Sequence, residues 1–252
     1  MLDTILFDLD GTLLPLDEST FLRLYFAGLA KRFAPQGLNP EALIRGVWAG
    51  TEKMRTNTGP ETNERVFWQA FLAIVPQAEG FAAEFQRYYE EDFDLVRVAS
   101  QVQPLARQII HDLNRKGYRT VLATNPLFPR IATEKRIRWA GLDPDDFTLI
   151  TTYENSTATK PSREYYSEVL QKCGRRPENC LMVGNDVWED GAAESLGISF
   201  FLVTDCLIND HHRPWESLRN GTFVELTRFL DSLPAIGTVK EKSKPAKQEP
   251  GT

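Results

Sequence analysis

Three observations predict an α/β fold, a parallel sheet with helices on both faces and a helical insertion. Short β-rich runs alternate with helical patterns from about residue 117 onward. An isolated apolar run near the N-terminus ends in two aspartates, and the long interval between the two regions carries only helical stripes. Strand, helix, strand in that rhythm implies parallel strands joined by crossovers that cover both faces of one sheet.

The first element is the run Thr4-Ile5-Leu6-Phe7, which reads as a strand from Thr4 to Leu9 buried on both faces. Gly11, just past its end, releases the chain into a turn. Side chains two apart on an extended chain point the same way, so Asp8 and Asp10 are aimed into one site. Two carboxylates that close repel each other, and the pair becomes tolerable with a cation between them or with one protonated.

From Pro15 to Val98 the pattern is helical. Phe21, Leu24, Tyr25 and Leu29 recur at helical spacing, as do Val66, Phe67, Ala70, Phe71 and Ile74 before Pro76, and Phe81, Phe85, Tyr88 and Tyr89 after it. These stripes read as packed core of about four helices. Material inserted at the carboxyl end of a sheet strand sits over the crevice where α/β sheets bind ligands. Residues 1–14 and 99–234 are therefore expected to form the α/β core, 15–98 a helical insert, and 235–252, rich in Lys, Pro and Gly, a disordered tail.

Arg119 to Thr124, Phe147 to Thr152, Cys180 to Gly184 and Phe200 to Thr204 read as the remaining strands. Pro129 to Ala140, Ser162 to Cys173 and Trp188 to Leu196 read as helices, with Gly141, Gly174 and Gly197 after their ends.

Composition excludes several function classes. The chain is 42% hydrophobic and 25% charged, ordinary globular usage, and its net charge of -6 argues against a nucleic-acid grip. No apolar run approaches the roughly 18 residues of a membrane span, and Asp3 and Asp8 stand where a signal peptide wants positive charge. A cytoplasmic protein is expected. Cys173, Cys180 and Cys206 show no paired spacing, so neither a disulfide frame nor a zinc site is indicated, and His111, His211 and His212 read as surface residues.

The carboxyl ends of parallel strands converge on one crevice. After Asp8 and Asp10, the strand at 119–124 ends in Thr124 followed by Asn125; the next leads through a polar loop to Lys160; and CLMVG ends in Asn185-Asp186, with Asp190 one helical turn beyond. Taken singly, each has a plainer reading: turn formers for the first pair, a strand-end Thr124, a solvated Lys160, helix-capping Asp186 and Asp190. Their order at successive strand ends favours a common site.

That ordered set resembles the haloacid dehalogenase-like hydrolases, on Asp8-Leu9-Asp10-Gly11-Thr12, Thr124, Lys160, and Gly184-Asn185-Asp186 with Asp190. The resemblance spans about residues 3–205 and implies a Rossmann-like core with an α-helical cap after the first motif. It implies Asp8 as nucleophile forming an aspartyl-phosphate, Asp10 as general acid and base, and Thr124, Asn125 and Lys160 as phosphate-binding groups. Mg²⁺ would sit among the Asp8 carboxylate, the Asp10 carbonyl and Asp186, supported by Asn185 and Asp190. One departure is Asn185, which stands where the family usually has its first acid after the glycine.

The implied activity is a Mg²⁺-dependent phosphatase acting on a small phosphorylated metabolite. A phosphotransferase or mutase would use the same aspartyl-phosphate. A carbon-halogen hydrolase of the family lacks the second aspartate, and a non-catalytic binding module would have lost Asp8 or Asp10; both residues are present. Cap aromatics such as Tyr25, Trp48 and Trp68, and the cations Arg45, Lys53 and Arg55, are candidates for substrate contact, although solvated surface is the commoner fate of such charges.

Overall fold

The structure, a computed structural model, describes residues 1–236. Its sheet contains β1 (Thr4–Phe7), β2 (Arg119–Leu122), β3 (Leu149–Ile150), β4 (Cys180–Gly184), β5 (Ser199–Val203) and β6 (Asn220–Gly221). All pairs are parallel, in the order β3-β2-β1-β4-β5-β6. β1 is central, with Phe7 level with Leu122 on one side and Val183 on the other. Strand order reverses there, which opens a crevice at the carboxyl ends of β1 and β4.

The pleat sorts β1 between two cores. Ile5 and Phe7 join Leu122, Val183 and Phe201 on one face, while Leu6 joins Val121, Met182 and Leu202 on the other. The second face is covered by α7 (Arg163–Cys173) through Tyr165, Tyr166 and Val169. The first carries α5 (Ala106–Arg115), α6 (Arg130–Trp139) and α8 (Phe223–Ser232).

Between β1 and β2 lies the helical insert: α1 (Glu18–Phe33), α2 (Pro40–Arg55), α3 (Asn63–Ile74) and α4 (Ala82–Arg87), followed by a π turn (Tyr88–Asp92) and a 3-10 segment (Phe93–Ala99). Side-chain caps start the first three, from Asp17, Asn39 and Thr62. Phe21, Tyr25, Leu29, Phe71 and Phe85 are buried and continue the apolar cluster of the first sheet face. The chain enters and leaves the insert side by side, since Asp17 N donates to Ala99 O at 2.9 Å and Gln101 N to Pro15 O at 2.9 Å.

Several boundaries differ from the sequence expectation. β2 ends at Leu122, although Ala123 N still donates to Phe7 O at 2.8 Å, and the 147–152 strand contracts to the edge pair Leu149–Ile150. Trp188 to Leu196 forms only a 3-10 segment, Gly191–Leu196, because the preceding residues are spent in turns: the Asp186 carboxylate accepts the N–H groups of Trp188 and Glu189. β6 lacks a strong sequence pattern of its own, whereas α8 follows a Thr222–Glu225 capping box with Phe223, Leu226 and Leu230 on its buried face. Of the expected tail, residues 237–252 lie outside the described residues, whereas Ile236 N donates to Lys116 O at 2.7 Å and is anchored.

A polar joint fixes the insert to the strand-end loops. Asn63 is fully buried; its Nδ2 donates to Ala158 O at 3.0 Å and its Oδ1 accepts from Asn57 Nδ2 at 2.9 Å. Removing one side of a buried hydrogen bond leaves the other unsatisfied. Asn63→Ala should therefore lower unfolding free energy by about 1–3 kcal/mol in urea titration, and unchanged stability would contradict this joint.

Candidate active site

The strand ends deliver their side chains to one cavity of about 960 Å³, lined by Asp8, Asp10, Thr124, Asn125, Asn185, Asp186 and Asp190. Lys160 lies beneath it, only 1% exposed, and its Nζ donates to Asp8 Oδ1 at 2.8 Å and to Asp190 Oδ1 at 2.6 Å. The solvated-lysine reading is thus excluded. Thr124 is buried; its carbonyl accepts from Thr151 Oγ1 at 2.6 Å and from the Tyr165 hydroxyl at 2.9 Å, which pins the loop that follows β2.

Two glycines make this convergence possible. A Cβ on Gly184 would lie 2.1 Å from Asp190 Oδ2, so only glycine lets Asp190 cross the end of β4 toward Lys160. Gly11 has φ +81°, and a Cβ there would lie 2.3 Å from Asn185 Nδ2. Asn185 itself is fully engaged: its Oδ1 accepts from Thr12 Oγ1 at 2.9 Å, and its Nδ2 donates to Cys206 O at 2.7 Å. It ties the Asp8 loop to the segment after β5.

Two functional neighbours escaped the sequence reading. Arg136, 2% exposed on α6, is ion-paired with Asp10 Oδ2 and lies over the Phe128 ring at 4.5 Å. Glu189 accepts from Asn125 Nδ2 at 2.8 Å and pairs with Arg55 at 3.1 Å. Arg136 sits in a charge-dense run, Glu134-Lys135-Arg136-Ile137-Arg138, whose pattern gives no sign of which cation turns inward.

The cavity continues into the insert. Tyr25, Trp48 and Trp68 all line it, together with members of the aromatic stripes that also pack the core. Of the three candidate cations only Arg55 reaches it; Arg45 and Lys53 are exposed on α2 away from the lining. His211, although exposed, stands on the rim with its ring 4.7 Å from that of Trp188.

Carboxylates outnumber cations here. Burial pushes Asp8 up to about 8 against the opposing pull of Lys160, and it raises Asp10 against the pull of Arg136. Burial likewise raises Asp186, opposed by the N–H groups of Glu189 and Trp188, and Glu189, opposed by Lys160 and Arg55. For Lys160 burial works downward, but Asp190 and Asp8 overcome it and hold the ammonium well above its usual range. Asp10 Oδ1 and Asn125 Oδ1 are buried without a partner.

This donor chemistry fits an added hard cation. Among the described residues no three His, Cys, Asp or Glu side chains form a ready-made cage. A cation at the Asp8 and Asp186 carboxylates would therefore take a main-chain carbonyl and water as further ligands. Mg²⁺ binds in that manner, through one or two carboxylates plus waters and substrate oxygens.

A parallel sheet of this order carries a pair of carboxylates in the loop after its central strand and a buried lysine behind them. The profile of the haloacid dehalogenase-like hydrolases matches residues 2–197, and the chain belongs to that family. No curated protein sequence matches it. Among solved structures, a HAD phosphatase from Thermococcus onnurineus is 18% identical, covers 91% of this chain and 98% of its own, and superposes with a TM-score of 0.58. A Bacillus subtilis protein described as a HAD-hydrolase, bound to magnesium, is 21% identical over 91% of this chain and 99% of its own, with a TM-score of 0.54. A dehalogenase with an intermediate complex is 18% identical over 94% and 98%, with a TM-score of 0.54. At these identities the likeness is one of fold. No helix among the described residues is long and apolar enough to cross a membrane.

The raised carboxylates give the metal-free protein a definite pH response. Between the ordinary aspartate value of 3.8 and about 8, the folded state binds more protons at Asp8 than the unfolded chain does. Stability must then fall as pH rises through that window, and the other three raised carboxylates act in the same direction. In chelator, Tm should drop by roughly 5 °C or more between about pH 5 and about pH 8. Mg²⁺ should restore more of it at the higher pH, and a Tm that rises over this range would contradict the charge balance.

Proposed function

We propose that the protein is a Mg²⁺-dependent phosphatase that hydrolyses a small phosphorylated substrate through an aspartyl-phosphate on Asp8. The observation that carries this reading is the joint placement of Asp8 and Asp10: one carboxylate clamped by Lys160, the other beside it in the same cavity and paired with Arg136. Residues 15–98 serve as the cap, entered and left through the paired crossing at Pro15–Asp17 and Ala99–Gln101.

Lys160 holds Asp8 Oδ1 and leaves Oδ2 to attack phosphorus. As the new P–O bond forms, the bond to the leaving oxygen breaks, and Asp10 in its acid form gives that oxygen a proton. The Thr124 hydroxyl and the Asn125 main-chain N–H hold the phosphoryl oxygens, while Lys160 offsets charge shared with Asp8. Water then attacks the same phosphorus. Asp10, now a carboxylate, takes the water proton, and the bond to Asp8 breaks to release phosphate. The Asp8 carboxylate, the Asp10 carbonyl and Asp186 would hold Mg²⁺, which would supply positive charge to offset that of the phosphoryl oxygens.

Arg136 favours the ionised form of Asp10, the form needed for the second step. The raised pull of burial favours the acid needed for the first. The pair thus holds Asp10 between its two roles, and small movements of the guanidinium tip it either way. A dehalogenase has no leaving oxygen to protonate, so the presence of Asp10 supports phosphoryl chemistry.

Purified protein should turn over 4-nitrophenyl phosphate with Mg²⁺, and excess chelator should abolish that turnover. Asp8→Asn should reduce kcat below detection while keeping the fold; full activity in this variant would remove Asp8 as nucleophile. Arg136→Met should cost about 1–3 kcal/mol of stability, since it leaves a half-buried carboxylate without its partner. Its surviving activity should show the acid limb of the pH–rate profile moved upward, because Asp10 loses the charge that keeps it ionised; an unmoved limb would show that Arg136 is only structural.

A further inference from the structure

The cavity is far larger than a phosphoryl group requires. About 960 Å³ is at the upper end of what drug-sized ligands occupy, and its distal wall is aromatic. Phe26 and Trp48 lie 5.5 Å apart, Phe67 and Trp68 meet edge-on at 5.6 Å, and Tyr25 and Phe128 do so at 5.6 Å. Trp48 is 48% exposed on α2, a large ring left half uncovered by its own chain at the wall of this space. Aromatic walls reward a flat apolar occupant both by area and by ring geometry.

The charges on the lining are already spoken for or negative. Arg55 is paired with Glu189 and Arg136 with Asp10. Glu64 on α3 and Glu154 in the loop after β3 both line the cavity; Glu64 is raised by burial and by that neighbour, while Glu154 also accepts the Arg130 N–H at 2.8 Å. A second anionic group on a substrate would meet those carboxylates and, among the described lining residues, no unpaired guanidinium. Resting on the phosphatase reading above, we propose that the substrate is the phosphate monoester of a bulky, uncharged aromatic alcohol, with its ring system against the Trp48 and Trp68 wall. Small phosphorylated carboxylates and bisphosphates are disfavoured by the lining carboxylates.

The test compares 2-(2-naphthyl)ethyl phosphate with glycerol 3-phosphate and phosphoglycolate. All three are primary alkyl esters, so leaving-group chemistry is of one kind. With Mg²⁺ present, kcat/KM for the naphthyl ester should exceed that of either small ester by about 100-fold, the effect of burying an aromatic group. Trp48→Ala should raise KM for the naphthyl ester by about tenfold. Equal or reversed preference, or a Trp48→Ala enzyme identical to the parent on the naphthyl ester, would overturn the assignment.

A binding arm separates this assignment from the phosphatase reading. By calorimetry, 2-(2-naphthyl)ethylphosphonate should bind saturably with Mg²⁺ and ethylphosphonate at least about tenfold more weakly. Should no ester be hydrolysed while the naphthyl phosphonate binds in this order, the cavity assignment stands and the phosphatase reading falls. Should the esters be hydrolysed with no aromatic preference, the reverse holds.

Discussion

The ammonium of Lys160, held between Asp8 and Asp190 under the floor of the cavity, is the contact on which the rest of the site depends. A lysine that deep is tolerable only with carboxylates at hydrogen-bonding distance, since an unpaired buried charge costs several kcal/mol, of the order of ~3–5. Asp190 reaches it only because position 184 has no side chain. The glycine at the end of β4, the acid beyond it, the lysine after β3 and the aspartate after β1 are therefore one requirement, distributed over three strands.

A second requirement is imposed by surplus negative charge. One cation, Lys160, neutralises part of the Asp8 and Asp190 pair, and Arg136 is committed to Asp10. What remains, including Asp186 and Glu189, is displaced toward the protonated form by burial. Such a site is poised to accept positive charge, and a hard divalent ion would offset its carboxylates. The strain is local, because the sheet on either side of β1 is apolar and fully paired.

How far the sequence carried the reading follows from the range of each interaction. The parallel sheet and the main helices were legible because burial on two faces writes continuous apolar runs and helix ends write their own punctuation. Asp8, Asp10, Thr124, Lys160, Asp186 and Asp190 were legible as an ordered set at strand ends, and the structure gathers five of them at one cavity with Lys160 beneath it. Arg136 and Glu189 were not, since an inward-turned charge on a charged helix or loop differs from its solvated neighbours only in tertiary context. The 188–196 segment misled because Asp186 and Asp190 give their carboxylates to backbone N–H groups and to Lys160, and the chain winds into turns around them. The aromatic stripes were legible as buried, but which rings face a void and which face each other is a matter of packing.

The contact between Asp8 and Lys160 joins residues 152 positions apart, and β1 pairs with a strand that begins at Cys180. Contacts so distant in sequence form late, after the cost of closing a long loop has been met. As the chain leaves the ribosome, Asp8 emerges first and then waits, exposed to water, while the insert helices and β2 are made. Its clamp does not exist until Lys160 follows, and its strand is not flanked on both sides until β4 does. The Asp8 clamp is thus among the last contacts open to the nascent chain, and a synthesis arrested before residue 160 leaves this carboxylate without its ammonium partner.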